Sequence, residues 1–211
     1  MPYRPEHKPE TRARIVEAAR ILFNRHGYDN VTIDMVMEAA SLTRGGFYGH
    51  FRNKEELFGA AVSSFLMGRG ARWRAEAGVN AADPALVDAA NMLRSYLSSE
   101  HLGEVEGQCP LIALPSDVGR AGPGVREAYG DLLEAMVGLY ERALPRSADE
   151  PRSTALALAA LSVGGMVLAR TIPNAALAAE LRDAALDHAL GMLSSRRLSE
   201  RSASTQARQE P

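Results

Sequence analysis

The chain has 211 residues, 46% of them apolar and 24% charged, which is enough to bury a core and excludes disorder throughout. Twenty-four Lys and Arg against 26 Asp and Glu give a formal charge of −2, so the chain as a whole lacks the concentrated positive charge of a general nucleic-acid binder. A single cysteine, Cys109, excludes an intramolecular disulfide framework and a cysteine-based zinc site, and fits a reducing compartment.

The N-terminal residues carry no apolar signal segment. From Thr11 to Phe23, residues Ile15, Ala18, Ala19, Leu22 and Phe23 recur at the spacing of one helix face, with Pro9 suited to the first turn and Gly27 to the stop. Thr32 is a helix-capping residue, and Asp34 stands near the positive end of the short helix that carries Ile33, Val36, Met37 and Ala40. That helix must end near Ser41 and Leu42, because another apolar pair, Phe47 and Phe51, follows at once at i, i+4 spacing. Two short helices joined so tightly form a helix-turn-helix pattern.

Asn53 caps a long helix with Glu55 and Glu56 in its first turn, and Leu57, Ala61, Phe65 and Trp73 on related faces. Asp83 and Pro84 read as a cap and first position of a helix to about Ser99. Residues 103–124 are broken by glycine and proline. Helices are expected from Gly124 to Leu144, over 153–171 and over 175–195, about nine in all. The longest uncharged stretch lies between Arg152 and Arg170; it is shorter than the roughly 20 residues that span a membrane and reads as a helix buried by protein. No run alternates with period two, so the fold class is all-α. The expected division is a small N-terminal helical domain over 1–53, a larger helical domain over 54–197, and a tail without structure over 198–211.

The most specific segment contains Thr32, then Gly45, Tyr48, Phe51, Lys54, Glu55 and Leu57. In these residues the sequence resembles the TetR family of bacterial transcriptional regulators, whose signature runs Thr, about ten residues, then Gly-x-x-Tyr-x-x-Phe-x-x-Lys-Glu-x-Leu. A second segment, Gly107-Gln-Cys-Pro-Leu111, resembles a Gly-Cys-Pro-Leu stretch in one subgroup. The resemblance implies a cytoplasmic, ligand-responsive repressor that binds a near-palindromic operator in double-stranded DNA as a homodimer. It implies no enzyme activity, cofactor, metal or membrane.

Residue chemistry supports the same reading. Ile33, Val36, Leu42, Phe47 and Phe51 clamp the two short helices together. The opposite face then presents Thr43, Arg44, Gly46, Tyr48 and His50. Arg44 suits a phosphate or the O6 and N7 of guanine. Thr43 and Tyr48 offer hydroxyls, and Gly45 and Gly46 let the backbone come close to a groove at a helix cost of about 1 kcal/mol each. Lys54 suits a phosphate, and the resemblance adds Thr32 as cap and phosphate contact. Ser41 stands at the turn where relatives commonly have glycine, and Gly49 where a larger residue is common. Arg4 and Lys8 are expected on an N-terminal arm.

Elsewhere, Trp73, Met92, Tyr96, Cys109, Leu111, Met136 and Tyr140 are candidates for the wall of a pocket for a small, largely apolar effector. Cys109 is also a candidate redox or electrophile sensor, against the alternative of a small buried apolar residue. The last two helices, through Ala159, Ala160, Gly164, Leu186 and Leu190, are the expected dimer interface. The histidines are scattered, and His101 beside Glu100 and Glu104 reads as a solvated helix end. Residues 1–58 hold nine basic and eight acidic residues, so placement rather than total charge must make this segment a DNA reader.

Overall fold

The computed structural model describes residues 7–145 and 150–206. The described residues form eleven α-helices and one 3₁₀ helix, with no strand. They divide into two compact units, one of residues up to Ala71 with Glu104–Leu133, the other of Arg72–Gly103 with Glu134 onward.

In the first unit α1 runs His7–His26, longer at both ends than the apolar face alone suggests. Gly27, at φ +75°, ends it in the left-handed conformation that glycine adopts at low cost, and its N–H reaches the Phe23 carbonyl at 2.8 Å. Helix α2 (Ile33–Ala39) is capped by Thr32, whose hydroxyl accepts the Met35 N–H at 3.2 Å. Ser41 closes it at φ +55°, and the Leu42 N–H bonds back to the Met37 carbonyl at 2.8 Å. A serine thus holds the left-handed turn where glycine would be unstrained, at a cost of about 1 kcal/mol.

The element that follows is a 3₁₀ helix over Arg44–Gly49 and not the expected α-helix. Three glycines among its six residues give little α-helical propensity, and His50 bonds back to Phe47 across three residues. Phe47 and Phe51 are buried beneath it, with rings 5.7 Å apart. Asn53 caps α3 (Lys54–Met67), its side chain accepting the Glu56 N–H at 2.8 Å.

The long helix expected from Lys54 breaks at Gly68, and α4 (Arg69–Glu76) begins anew. A β-carbon at Gly70 would lie 2.7 Å from the Phe65 carbonyl, so the close packing at this break needs a glycine. The broken middle segment supplies two short helices, α7 (Pro110–Ala113) and α8 (Pro115–Arg120), each opened by proline. Its approach to α1 is held by polar groups: Arg20 donates to the Glu106 carbonyl at 2.6 Å and Asn24 to that of Gln108 at 2.7 Å. α9 (Pro123–Ala143) starts in this unit and continues into the second.

In the second unit α5 runs Leu86–Tyr96 and α6 Ser99–Gly103. α5 starts later than expected because Asp88 accepts the Ala85 N–H at 2.9 Å and caps the helix there; Asp83 and Pro84 precede it. α10 (Pro151–Thr171) and α11 (Ala175–Gln206) pack on each other, and α11 also packs on α5. α10 is long and apolar enough to cross a membrane by length and composition; here Leu158, Ala159, Ser162, Met166 and Ala169 are buried in its packing. A β-carbon on Gly165 would meet that of Ala185 at 2.9 Å, so the small residue serves close approach within the chain.

α11 extends well beyond 195 and takes in most of the tail expected to lack structure, up to Gln206. Glu, Arg, Ala and Gln propagate an established helix at little cost. Positions 207–211 and Arg4 lie outside the described residues.

Candidate nucleic-acid interface

The clamp beneath the 3₁₀ helix dictates which side chains reach solvent. Phe47 is fully buried, and Val36 and Met37 of α2 are buried in the same unit. Thr43, Arg44, Gly45, Gly46 and Tyr48 are all exposed; the Tyr48 ring is 62% exposed and stands edge-on to Phe47 at 5.2 Å. A large aromatic left in water is worth explaining, since the same ring could be buried against the core. A β-carbon added at Gly45 or Gly49 would meet nothing within 4 Å. Internal packing therefore does not require those glycines, which fits their providing room for something outside the chain.

Arg44 is exposed and donates through Nη1 to Asp34 Oδ2 at 2.6 Å, so the expected groove contact starts out paired with a carboxylate of α2. Thr32 is exposed and already serves as the α2 cap.

His50 and Lys54 sit differently from the rest of the set. His50 is half-buried, with Nδ1 turned inward and without a hydrogen-bond partner. Burial, and then the cationic Lys8 and Arg12, hold its pKa below the usual histidine value of 6.5. The Lys54 ammonium donates to the carbonyls of Tyr28 and Val31, both at 2.9 Å, and lies 4.0 Å from the Tyr28 ring centroid. It ties the loop between α1 and α2 to the start of α3. The aromatic trio Phe23, Tyr28 and Phe58, with centroids 4.8–5.8 Å apart, packs behind it.

Sequence reasoning missed Arg12, which lies over the Phe51 ring at 4.5 Å. Lys8, expected on a free arm, is in the first turn of α1. The i, i+4 spacing of Arg12 from Lys8 was the signal that could have found it. Arg12 and Arg52 also line a cleft of about 440 Å³ with the start of α3 and the start of α9. In it the Gly122 N–H donates to Glu55 Oε1 at 2.6 Å, and a β-carbon at Gly122 would collide with that oxygen. Glu56 is held below the usual carboxylate range by the backbone N–H of Arg52 and then by its guanidinium.

The candidate effector residues fall on both units. Cys109 and Leu111 are buried in the first, at the opening of α7. Cys109 is a buried thiol there, with no disulfide. Trp73, Met92, Tyr96, Met136 and Tyr140 belong to the second unit. There Trp73 is half-buried with its ring 5.7 Å from both Tyr96 and His101, whose Nδ1 lies 2.8 Å from the Tyr96 carbonyl. His101 is thus a buried aromatic partner and not a solvated helix end. Tyr140 is fully buried, and burial raises its hydroxyl pKa well above the usual tyrosine value.

Of the expected dimer residues, Ala159 is buried inside its own unit, Ala160 is exposed, and Gly164, Leu186 and Leu190 are half-buried. Leu156 and Leu168 of α10 and Leu177 of α11 are exposed large apolar residues.

The model of the TetR family of bacterial regulatory proteins matches residues 15–61. Over 59 residues the chain is 44% identical to the HTH-type transcriptional regulator TtgR of Pseudomonas putida, covering 28% of each chain. The chain matches no more than about a third of the length of this and a further curated relative. Among solved structures it is similar to a TetR-family transcriptional regulator from Cytophaga hutchinsonii, with a TM-score of 0.73 and 20% identity, covering 92% of this chain and 98% of the other. It is also similar to the SmeT–triclosan complex, with a TM-score of 0.60 and 26% identity, covering 86% and 90%. Residues 15–61, which match the TetR-family model, hold the capped α2, the tight left-handed turn and an exposed segment over a two-phenylalanine clamp.

Proposed function

We propose that the protein is a transcriptional regulator that represses by binding a near-palindromic DNA operator as a homodimer and releases it on binding a small, largely apolar effector. The observation that carries this reading is the exposed face of Thr43, Arg44, Gly45, Gly46 and Tyr48, held outward by the buried Phe47 and Phe51. Hydroxyls and a guanidinium beside glycines without internal packing duties suit close approach to a major groove. Thr32 would add a phosphate contact from the start of α2. Lys8 and Arg12 supply further positive charge on the same unit, as a chain with so little net charge requires.

The functional division that goes with this reading is DNA binding over 1–53 and effector binding with dimerisation over 54–197. Exposed leucines on α10 and α11, with Ala160 and Gly164 between them, support an isologous contact with a second copy. The half-buried Trp73 beside Tyr96 and His101 supports an effector wall in the second unit, and the SmeT structure was solved with triclosan. The site of action is the cytoplasm, where operator DNA resides.

A mobility-shift assay of the full chain on its own upstream DNA tests the proposal. Specific binding that falls steeply with salt is expected, and Arg44→Ala should weaken it by about 1–3 kcal/mol for each half-site. Salt-insensitive or absent binding, or an Arg44→Ala variant equal to the parent, would overturn it. Sedimentation showing only monomer would remove the homodimer from the reading.

A further inference from the structure

The ion pair between Asp34 and Arg44 joins the first turn of α2 to the first residue of the 3₁₀ helix, ten residues further along the chain. Both side chains are more than half exposed, so the pair adds little to folding stability. Yet it spans the turn of the helix-turn-helix and fixes the one guanidinium on the recognition face. An Arg side chain loses substantial rotamer entropy when it is immobilised, and a carboxylate that fixes it beforehand removes part of that loss from binding.

We infer that Asp34 is the positioning residue that turns Arg44 from a phosphate-attracting charge into a directional reader of guanine. This rests on the DNA-binding reading and names the base it recognises.

Two features of the contact support the inference. Only Nη1 is engaged by Asp34 among the described residues. The Nε–Nη2 edge keeps two parallel N–H donors, and that fork matches the paired acceptors O6 and N7 of guanine. Adenine offers a donor and an acceptor at the equivalent edge, so the fork would leave one N–H unpaired. The second feature is charge. Arg44 with Asp34 beside it is close to neutral, so the pair gains little from phosphates in general and relies on directional hydrogen bonds for its affinity. Asp34 also sits at the positive end of α2, where a carboxylate is favoured, so its position is anchored independently of Arg44.

The test uses the full chain and duplexes enriched from a randomised library on the immobilised protein, with each G·C pair of the enriched sequence then changed to A·T. Wild type should lose roughly tenfold or more in affinity at the pair that Arg44 reads, and Arg44→Ala should abolish discrimination at that pair alone. Asp34→Asn should cut the discrimination there by about fivefold, leave it unchanged elsewhere, and tighten binding to unrelated DNA with a steeper salt dependence. In the Asp34→Asn/Arg44→Ala double variant, discrimination at that pair should match Arg44→Ala alone. If Asp34→Asn lowers the thermal unfolding temperature, Asp34→Ser, which retains a residue favoured at helix starts, replaces it.

Unchanged discrimination in Asp34→Asn with uniformly tighter binding would show that Asp34 is only a charge, and would overturn the inference while leaving DNA binding intact. Enrichment of no sequence at all would overturn the DNA-binding reading itself.

Discussion

The exposed segment Arg44–Gly49 and the helix pair α10–α11 bury their apolar residues in opposite ways. The first rests on a few large side chains, Phe47 and Phe51 above all, and leaves nearly everything else exposed. The second is built from many small ones: Ala155, Ala159, Ala169, Ala185 and Ala189 are buried, and Gly165 lies against Ala185. A segment that depends on one or two anchors can carry chemistry on its remaining positions. An interface of alanines distributes the same task over two helices, so that no single buried residue anchors it. Single substitutions should therefore have concentrated effects in the first region and diffuse ones in the second.

The sharpest way to break this contrast is Phe47→Ala. Removing a fully buried aromatic should cost about 3–5 kcal/mol, read by urea unfolding, whereas Ala159→Gly in α10 should cost about 1 kcal/mol. Equal losses would mean that the recognition segment is not anchored as described.

Next in size is Lys54→Met, which separates an internal tie from a DNA contact. Losing the ammonium that serves the Tyr28 and Val31 carbonyls should cost about 1–3 kcal/mol of stability. The salt slope of DNA binding should stay unchanged; a slope reduced by about 1 would return Lys54 to the phosphate contacts.

Ser41→Gly should stabilise the protein by about 1 kcal/mol in thermal unfolding, because glycine relieves the left-handed turn at φ +55°. Destabilisation instead would show that the serine side chain contributes more than its backbone costs.

The smallest effect concerns His50. Its pKa in the folded chain lies below the ordinary 6.5, so on acidification the unfolded chain takes up a proton first. This contribution to stability is fully present above pH 6.5 and is lost as pH falls through the folded value. His50→Gln should flatten the pH dependence of stability in that window. An unaltered profile would mean that neither burial nor the cations Lys8 and Arg12 lower its pKa.

Much of this was legible in the residues. The caps Thr32 and Asn53, the Gly27 stop and the all-helical class follow from local rules, in which a side chain a few residues away satisfies the backbone. The outward face of the recognition segment followed from the spacing of Phe47 and Phe51. The 3₁₀ geometry did not, because three glycines weaken the α-helix without specifying what replaces it. The roles of Lys54 and His50 were hidden for a different reason. Lys54 reaches carbonyls more than twenty positions away, and His50 is half-buried and feels the cations Lys8 and Arg12 of α1, relations that no spacing in the chain encodes.

The same division applies to the small residues of α10. Composition showed that close helix approach was permitted, since glycine and alanine keep no side chain in the way. Whether Gly165 meets a helix of its own chain or of a copy depends on three-dimensional packing, and here it meets Ala185. The sequence by itself determined the all-helical class, the caps Thr32 and Asn53 and the exposure of Thr43, Arg44 and Tyr48, because those depend on neighbours within a turn or two. Tertiary structure alone decided which charges are spent at a distance: Arg44 on Asp34, Lys54 on two carbonyls, Arg20 on the Glu106 carbonyl. A long cationic side chain finds its partner through space, and near-neutral composition gives no hint of which cations are engaged within the chain.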